Sequence, residues 1–87
     1  MRSATLPSFW KAYNKLGDNS KERARKVFRL WVDNPFHPSL HFKCINVEED
    51  IWSVRISLDV RALGVLETDT VTWFWIGAHD EYERYFG

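Results

Sequence analysis

The hydrophobic period of this chain changes once, around Pro38, and that change limits the folds open to it. Before Pro38 the apolar residues recur at helical spacing. Phe9, Ala12, Tyr13 and Leu16 fall at i, i+3, i+4 and i+7, which places them on one helix face. Pro7 suits a first helical turn, where a missing N–H costs nothing. Gly17 is expected to close this helix, near 7–16, as a left-handed cap. Asn19, with Glu22 three residues on, predicts the start of a second helix near 20–33. Ala24, Val27, Phe28 and Trp31 form its apolar face, and Asn34 before Pro35 ends it, because the residue before proline is pushed out of the helical region.

After Pro38 the period is two, and strands are expected near 41–46, 51–58, 61–67 and 70–77. In the second of these Trp52, Val54, Ile56 and Leu58 share one face and Ser53, Arg55 and Ser57 the other. Glu48 to Asp50 reads as a charged turn and Thr68-Asp69 as a tight connection. The run from Val71 to Ile76 is apolar on both faces, as in a strand covered on both sides. Asp80 to Phe86 reads as a short terminal helix. The order predicts a single α+β domain over 1–87, with two N-terminal helices packed on one face of a twisted antiparallel sheet. Two helices cover only one sheet face. The other is covered either by loops and the C-terminal segment, or by a partner protein presenting an amphipathic helix or strand.

Composition narrows the class. A chain of 87 residues has room for one core, and 45% hydrophobic with 28% charged residues excludes disorder as the default. The single cysteine, Cys44, excludes an intramolecular disulfide framework and fits a reducing compartment. With no apolar stretch of membrane-spanning length and no leader-like opening, a cytoplasmic protein without a membrane partner is expected. The formal net charge of zero conceals an asymmetry. Residues 1–43 carry nine Lys and Arg against three acids, and residues 44–87 carry three Arg against nine acids. Lys21, Arg25 and Arg29, four residues apart, form a basic stripe away from the apolar face of the second helix. Charge of this kind places opposite fields on different faces of a small domain.

The chemistry-bearing residues are scattered. His37 and His41 are separated by Pro38, which argues against the helix that would align both rings, and one cysteine does not build a structural zinc site; no metal and no cofactor are expected. Neither a glycine-rich phosphate loop nor a Gly-x-Ser-x-Gly elbow is present. What remains is a polar set around the sheet: Lys43, Arg55, Arg61, His79, Glu81, Tyr82 and Arg84. Metal-free cleavage of RNA through its 2′-hydroxyl requires a base for that hydroxyl, an acid for the leaving oxygen and cations for the crowded phosphate. His, Tyr, Lys and Arg supply all three. The competing reading is that Arg55 and Arg61 pair with nearby acids and that Tyr82 belongs to the core.

Four segments in order, HPSLHFK from His37 to Lys43, IWSVRI from Ile51 to Ile56, RALGV from Arg61 to Val65 and WFWIGAHDEY from Trp73 to Tyr82, resemble the RelE/ParE superfamily of bacterial toxins. The similarity runs from the first helix to Tyr82. It implies two helices against a twisted sheet, preceded by a short N-terminal strand at Arg2 to Thr5, and a type II toxin neutralised by a cognate antitoxin. RelE-like members are mRNA endoribonucleases acting at the ribosome; ParE-like members inhibit DNA gyrase. A non-catalytic binding module of the same fold is a third reading. By position, the resemblance gives Arg61 the scissile phosphate, places His79 and Tyr82 in the region of the acid/base and base-stacking residues, and sets Lys43 near the family's lysine-rich segment. If the chain is such a nuclease, Lys43, Arg55 and Arg84 are expected to be cations that position RNA.

Overall fold

The computed structural model describes residues 1–86, with side chains through Glu83. In chain order these form β1 (Arg2–Thr5), α1 (Pro7–Tyr13), α2 (Asp18–Asp33), a single 3-10 turn (Pro38–Leu40), β2 (Lys43–Asn46), β3 (Ile51–Arg55), β4 (Val60–Glu67), β5 (Thr70–Ala78) and α3 (His79–Phe86). The sheet order is β1-β5-β4-β3-β2. β1 runs parallel to β5, and every other neighbouring pair is antiparallel. The sheet expected to be antiparallel is therefore mixed. The crossover through α1, α2 and three further strands brings the N-terminal strand β1 against the last strand, β5.

Local chemistry explains where the elements depart from the periodic pattern. α1 stops at Tyr13, and the Lys15 and Leu16 N–H groups bond back to Ala12 and Tyr13 in a turn. Gly17 has φ −69° and ψ 164°, extended backbone, and is the N-cap of α2 rather than a left-handed cap of α1. α2 thus begins at Asp18, two residues before the expected start. Asn19 lies inside its first turn and makes no capping bond, while Asp18 places a negative charge at the positive helix end. β3 is shorter than predicted. The N–H groups of Ile56 and Ser57 both donate to the Val60 carbonyl, at 3.0 and 3.2 Å, which folds 56–59 into a tight bend. Leu58 is carried out of the core face and stands 75% exposed, so it does not join Val54 and Ile56.

The doubly apolar strand resolves through a bulge. Leu63 pairs with Trp75 and Gly64 with Trp73, which leaves Phe74 as an extra residue on β5. Trp73 and Ile76 consequently both face the helices, while Trp75 faces the opposite side. Gly64 is required here: a Cβ on it would lie 2.5 Å from Val71 Cγ1 and 2.9 Å from Trp73 Cε3. On the helix side, Trp31 and Trp73 cross at 79° with centroids 5.3 Å apart, and Trp31 and Phe42 at 80° and 5.6 Å. Phe9, Ala24, Leu40, Val54, Ile56, Val60, Ala62 and Val71 complete this core. The helices leave the other sheet face to be lined by Ile51, Ser53 and Leu63, with α3 packed against β4 and β5 at one end.

Candidate active site on the open sheet face

The open face is where the register gathers the cationic residues. Arg55 and Arg61 are direct cross-strand partners on β3 and β4, and Gly77 continues the row on β5. Lys43 pairs with Ser53, Ser53 with Leu63, and Leu63 with Trp75, which forms the adjacent row. Two residues before Lys43, His41 extends the first row: its Nε2 lies 3.3 Å from Arg55 Nη1. A guanidinium only donates, so in this contact Arg55 is the donor and His41 Nε2 the acceptor. His41 sits at φ 44°, in the left-handed region, where the chain leaves the 3-10 turn and enters β2.

Arg61 is half-buried and partly committed. Its Nη1 donates to the carbonyls of Ser57, Val60 and Leu58 at 2.5, 3.1 and 3.3 Å, so the guanidinium clasps the bend before its own strand. All three bonds use Nη1, so Nε and Nη2, the two donors of one fork edge, take no part in the clasp. Burial lowers the Arg61 pKa from its ordinary value, and the Arg55 charge lowers it further; Tyr82 and Asp59 act in the other direction. An arginine remains charged under these conditions. Neither Arg55 nor Arg61 forms an ion pair with a carboxylate among the described residues.

α3 brings the C-terminal residues to the same place. The His79 N–H donates to the Asp59 carbonyl at 2.6 Å, which ties the start of α3 to the bend that Arg61 clasps. Tyr82, one turn on, stacks on the His79 ring at 5.5 Å and 24°. The carboxylate that reaches His79 is Glu83, with Oε1 3.6 Å from Nε2, at i+4 on the helix; the neighbouring Glu81 is exposed. Gly77 supplies the floor. A Cβ there would lie 2.5 Å from Trp75 Cζ2, so the Trp75 indole lies across the glycine backbone beside Arg61.

Of the residues singled out from sequence, Arg55, Arg61, His79 and Tyr82 meet at one end of the open face. Lys43 is exposed on β2, one row along and two strands from β4, about 10 Å away at ordinary strand spacing. Arg84 lies on α3, and its side chain falls outside the described residues. Sequence reasoning missed His41 and Trp75. The signal for His41 was the register itself, since a residue two before Lys43 must face Arg55 once Lys43 pairs with Ser53. Among the described residues there is no group of three His, Cys, Asp or Glu side chains placed to hold a metal.

This arrangement, a cationic face on a five-stranded sheet backed by two helices, has known counterparts. Residues 18–84 match the family model described as ParE-like toxin domain. The chain belongs to the ParE-like toxin domain family. Among solved structures, this toxin domain superposes on RelE in the RelB–RelE antitoxin–toxin complex from Methanococcus jannaschii with a TM-score of 0.77 and 13% identity, over 97% of this chain and 99% of that one. YafQ from Escherichia coli strain BL21(DE3) gives 0.74 and 11%, over 94% and 98%. The YoeB/ParE toxin from Agrobacterium tumefaciens gives 0.70 and 16%, over 91% and 99%. No curated protein sequence matches the chain. At these identities the structural likeness speaks for the fold, and the family match for a toxin domain. No helix among the described residues is long and apolar enough to cross a membrane.

Proposed function

We propose that this toxin domain is a metal-independent endoribonuclease that cuts mRNA at the ribosome. The observation that carries the reading is the meeting of Arg61, His79 and Tyr82 around one bend, beside Arg55 on the sheet face turned away from α1 and α2. In the reaction the 2′-hydroxyl loses its proton and its oxygen bonds to phosphorus; the bond to the 5′-oxygen breaks, and that oxygen takes up a proton. The products are a 2′,3′-cyclic phosphate and a 5′-hydroxyl. The Nε–Nη2 edge of Arg61 binds two non-bridging phosphate oxygens, a fit its planar fork provides. His79 and Tyr82 move the two protons, histidine being the group with both forms accessible near neutrality. Arg55, Lys43 and Arg84 hold the flanking backbone. Trp75 offers a flat surface on which a base can stack.

The partner is a cognate antitoxin. An apolar groove of about 940 Å³ runs between α1, α2 and β1, walled by Trp10, Phe28 and Val32 and rimmed by Arg25 and Arg29. β1 is an edge strand with its outer side unpaired. A partner offering an amphipathic helix or an added strand with acidic flanks fits this surface. Solved relatives from Methanococcus jannaschii and Pyrococcus horikoshii OT3 are RelE–RelB complexes, which supports the reading.

DNA gyrase inhibition is the second reading, favoured by the ParE-like description of the family itself. Induction of the chain in a bacterial host, without its antitoxin, separates the two. Growth arrest with new mRNA ends and normal DNA supercoiling supports the nuclease; arrest with intact mRNA and altered supercoiling supports gyrase.

A further inference from the structure

The basic residues of α2 do not all belong to the exposed stripe. Arg23 Nε donates to the Ile56 carbonyl at 3.3 Å, which anchors its guanidinium across the bend that Arg61 clasps from the other side. Lys26, three residues on, lies on the same helix face. Between α2 and the bend is a cleft of about 480 Å³, where Arg23 and Lys26 face His41 and Arg55. Val27, Leu30 and Leu58 give it apolar surface, and no carboxylate lines it. Two acids stand beside it: Glu22 pairs with Lys26 at 3.4 Å on the exposed side, and Asp59 follows Leu58 in the bend. A chain of zero formal net charge thus places cations on both walls of one cleft with no carboxylate among its lining residues. Arg55 belongs both to this cleft and to the open-face row beside Arg61.

We propose that this cleft is a second RNA subsite, holding the sugar-phosphate backbone of single-stranded nucleotides that flank the one at Arg61. Cationic walls neutralise phosphates, and apolar surface accepts a sugar or base face, the combination that single-strand grooves use. Arg55 is the hinge of the path, since it reaches both sites from one strand. The inference takes its ligand class from the nuclease reading and extends the bound strand around the bend onto α2.

The test is the salt dependence of binding of a short fluorescent uridine-rich RNA to the full chain. Each phosphate contact on single-stranded RNA contributes about 0.7 to the slope of log K against log salt. Arg23→Ala with Lys26→Ala is expected to lower the slope by about 1.4. Lys26→Ala alone, which leaves the Arg23–Ile56 bond intact, is expected to lower it by about 0.7. Lys11→Ala with Lys15→Ala, which removes equal charge from exposed α1-side positions, should leave it unchanged. An unchanged slope in the cleft variants, an equal fall in the α1-side control, or no binding by the parent chain overturns the proposal. The two readings fail separately. If Arg61→Ala abolishes cutting while the cleft variants keep the parental slope, the active face stands without the cleft. If the parent cuts no RNA but the cleft variants lose slope, the cleft stands without the nuclease.

Discussion

Arg55 and Arg61 face each other directly across β3 and β4, two guanidinium side chains in register on one face of the sheet. Like charges at such a position destabilise the folded state, here with no carboxylate paired to either among the described residues. The chain tolerates the repulsion by fastening each arginine to neutral acceptors: Arg55 to His41 and Arg61 to three carbonyls of the bend. The pair is therefore held in place and left electrostatically unsatisfied, which suits it to meet an anion.

Replacing Arg55 should separate stability from binding. Arg55→Gln removes the repulsion on Arg61 and is expected to stabilise the fold by about 0.5 kcal/mol, within the range of cross-strand pairs. The gain should shrink as salt is added, because the interaction is only half-buried. Urea denaturation at low and high salt measures both effects. RNA affinity should fall in the same variant.

Arg61→Lys tests the fork. Lysine keeps the charge but offers a point donor in place of the planar edge. Cleavage is expected to drop by about 10²–10³, the size seen when one preorganised transition-state donor is removed. Losing the carbonyl clasp should also cost about 1 kcal/mol of stability, since the part-buried Ser57 carbonyl loses its donor while the Val60 carbonyl keeps the Ile56 and Ser57 N–H groups. Cleavage assays beside thermal unfolding at a temperature where the variant is folded distinguish the two losses.

Gly64→Ala should be among the most damaging small substitutions. The added Cβ would overlap Val71 and Trp73, both fully buried, and the strand backbone has no room to retreat. A loss of about 1–3 kcal/mol is expected, the usual cost of overpacking. Gly77→Ala meets only the half-buried Trp75 ring, which can swing outward. It should cost less stability and instead change Trp75 fluorescence and weaken RNA binding.

Thr68 carries φ 55°, a left-handed conformation that a β-branched residue rarely adopts, in the two-residue connection between β4 and β5. Thr68→Gly is expected to stabilise the hairpin by about 1 kcal/mol, read from the urea midpoint at constant m-value. The connection lies at the far end of β4 from Arg61, so cleavage should not change.

The period change at Pro38 was enough to divide the chain into helices and sheet, because burial of one face imposes its spacing on local sequence. Features set by non-local geometry were harder to read. Gly17 carries the same residue type whether it caps one helix or opens the next, and the choice is made by α1 stopping at Tyr13. The bulge at Phe74, which sends Trp73 inward and Trp75 outward, depends on the pairing with Leu63 and Gly64 and leaves no mark in a run of apolar residues. Leu58 kept the strand period but was turned out by a bend closed on the Val60 carbonyl. In the site, the cationic character of Arg55 and Arg61 was visible, whereas their alignment with His41 required the register, and the tie between His79 and Asp59 required the path of α3.

The central claim is that the open face cleaves RNA by attack of the 2′-hydroxyl next to the phosphate bound at Arg61. The direct measurement is cleavage on ribosomes programmed with an mRNA carrying a single 2′-deoxynucleotide at the mapped cut. Removing that hydroxyl removes the nucleophile. Cutting should cease at that position, the unmodified mRNA should end in a 2′,3′-cyclic phosphate, and Arg61→Ala should cut neither. Continued cutting at the 2′-deoxy position, or ends bearing a 3′-hydroxyl, would contradict the account.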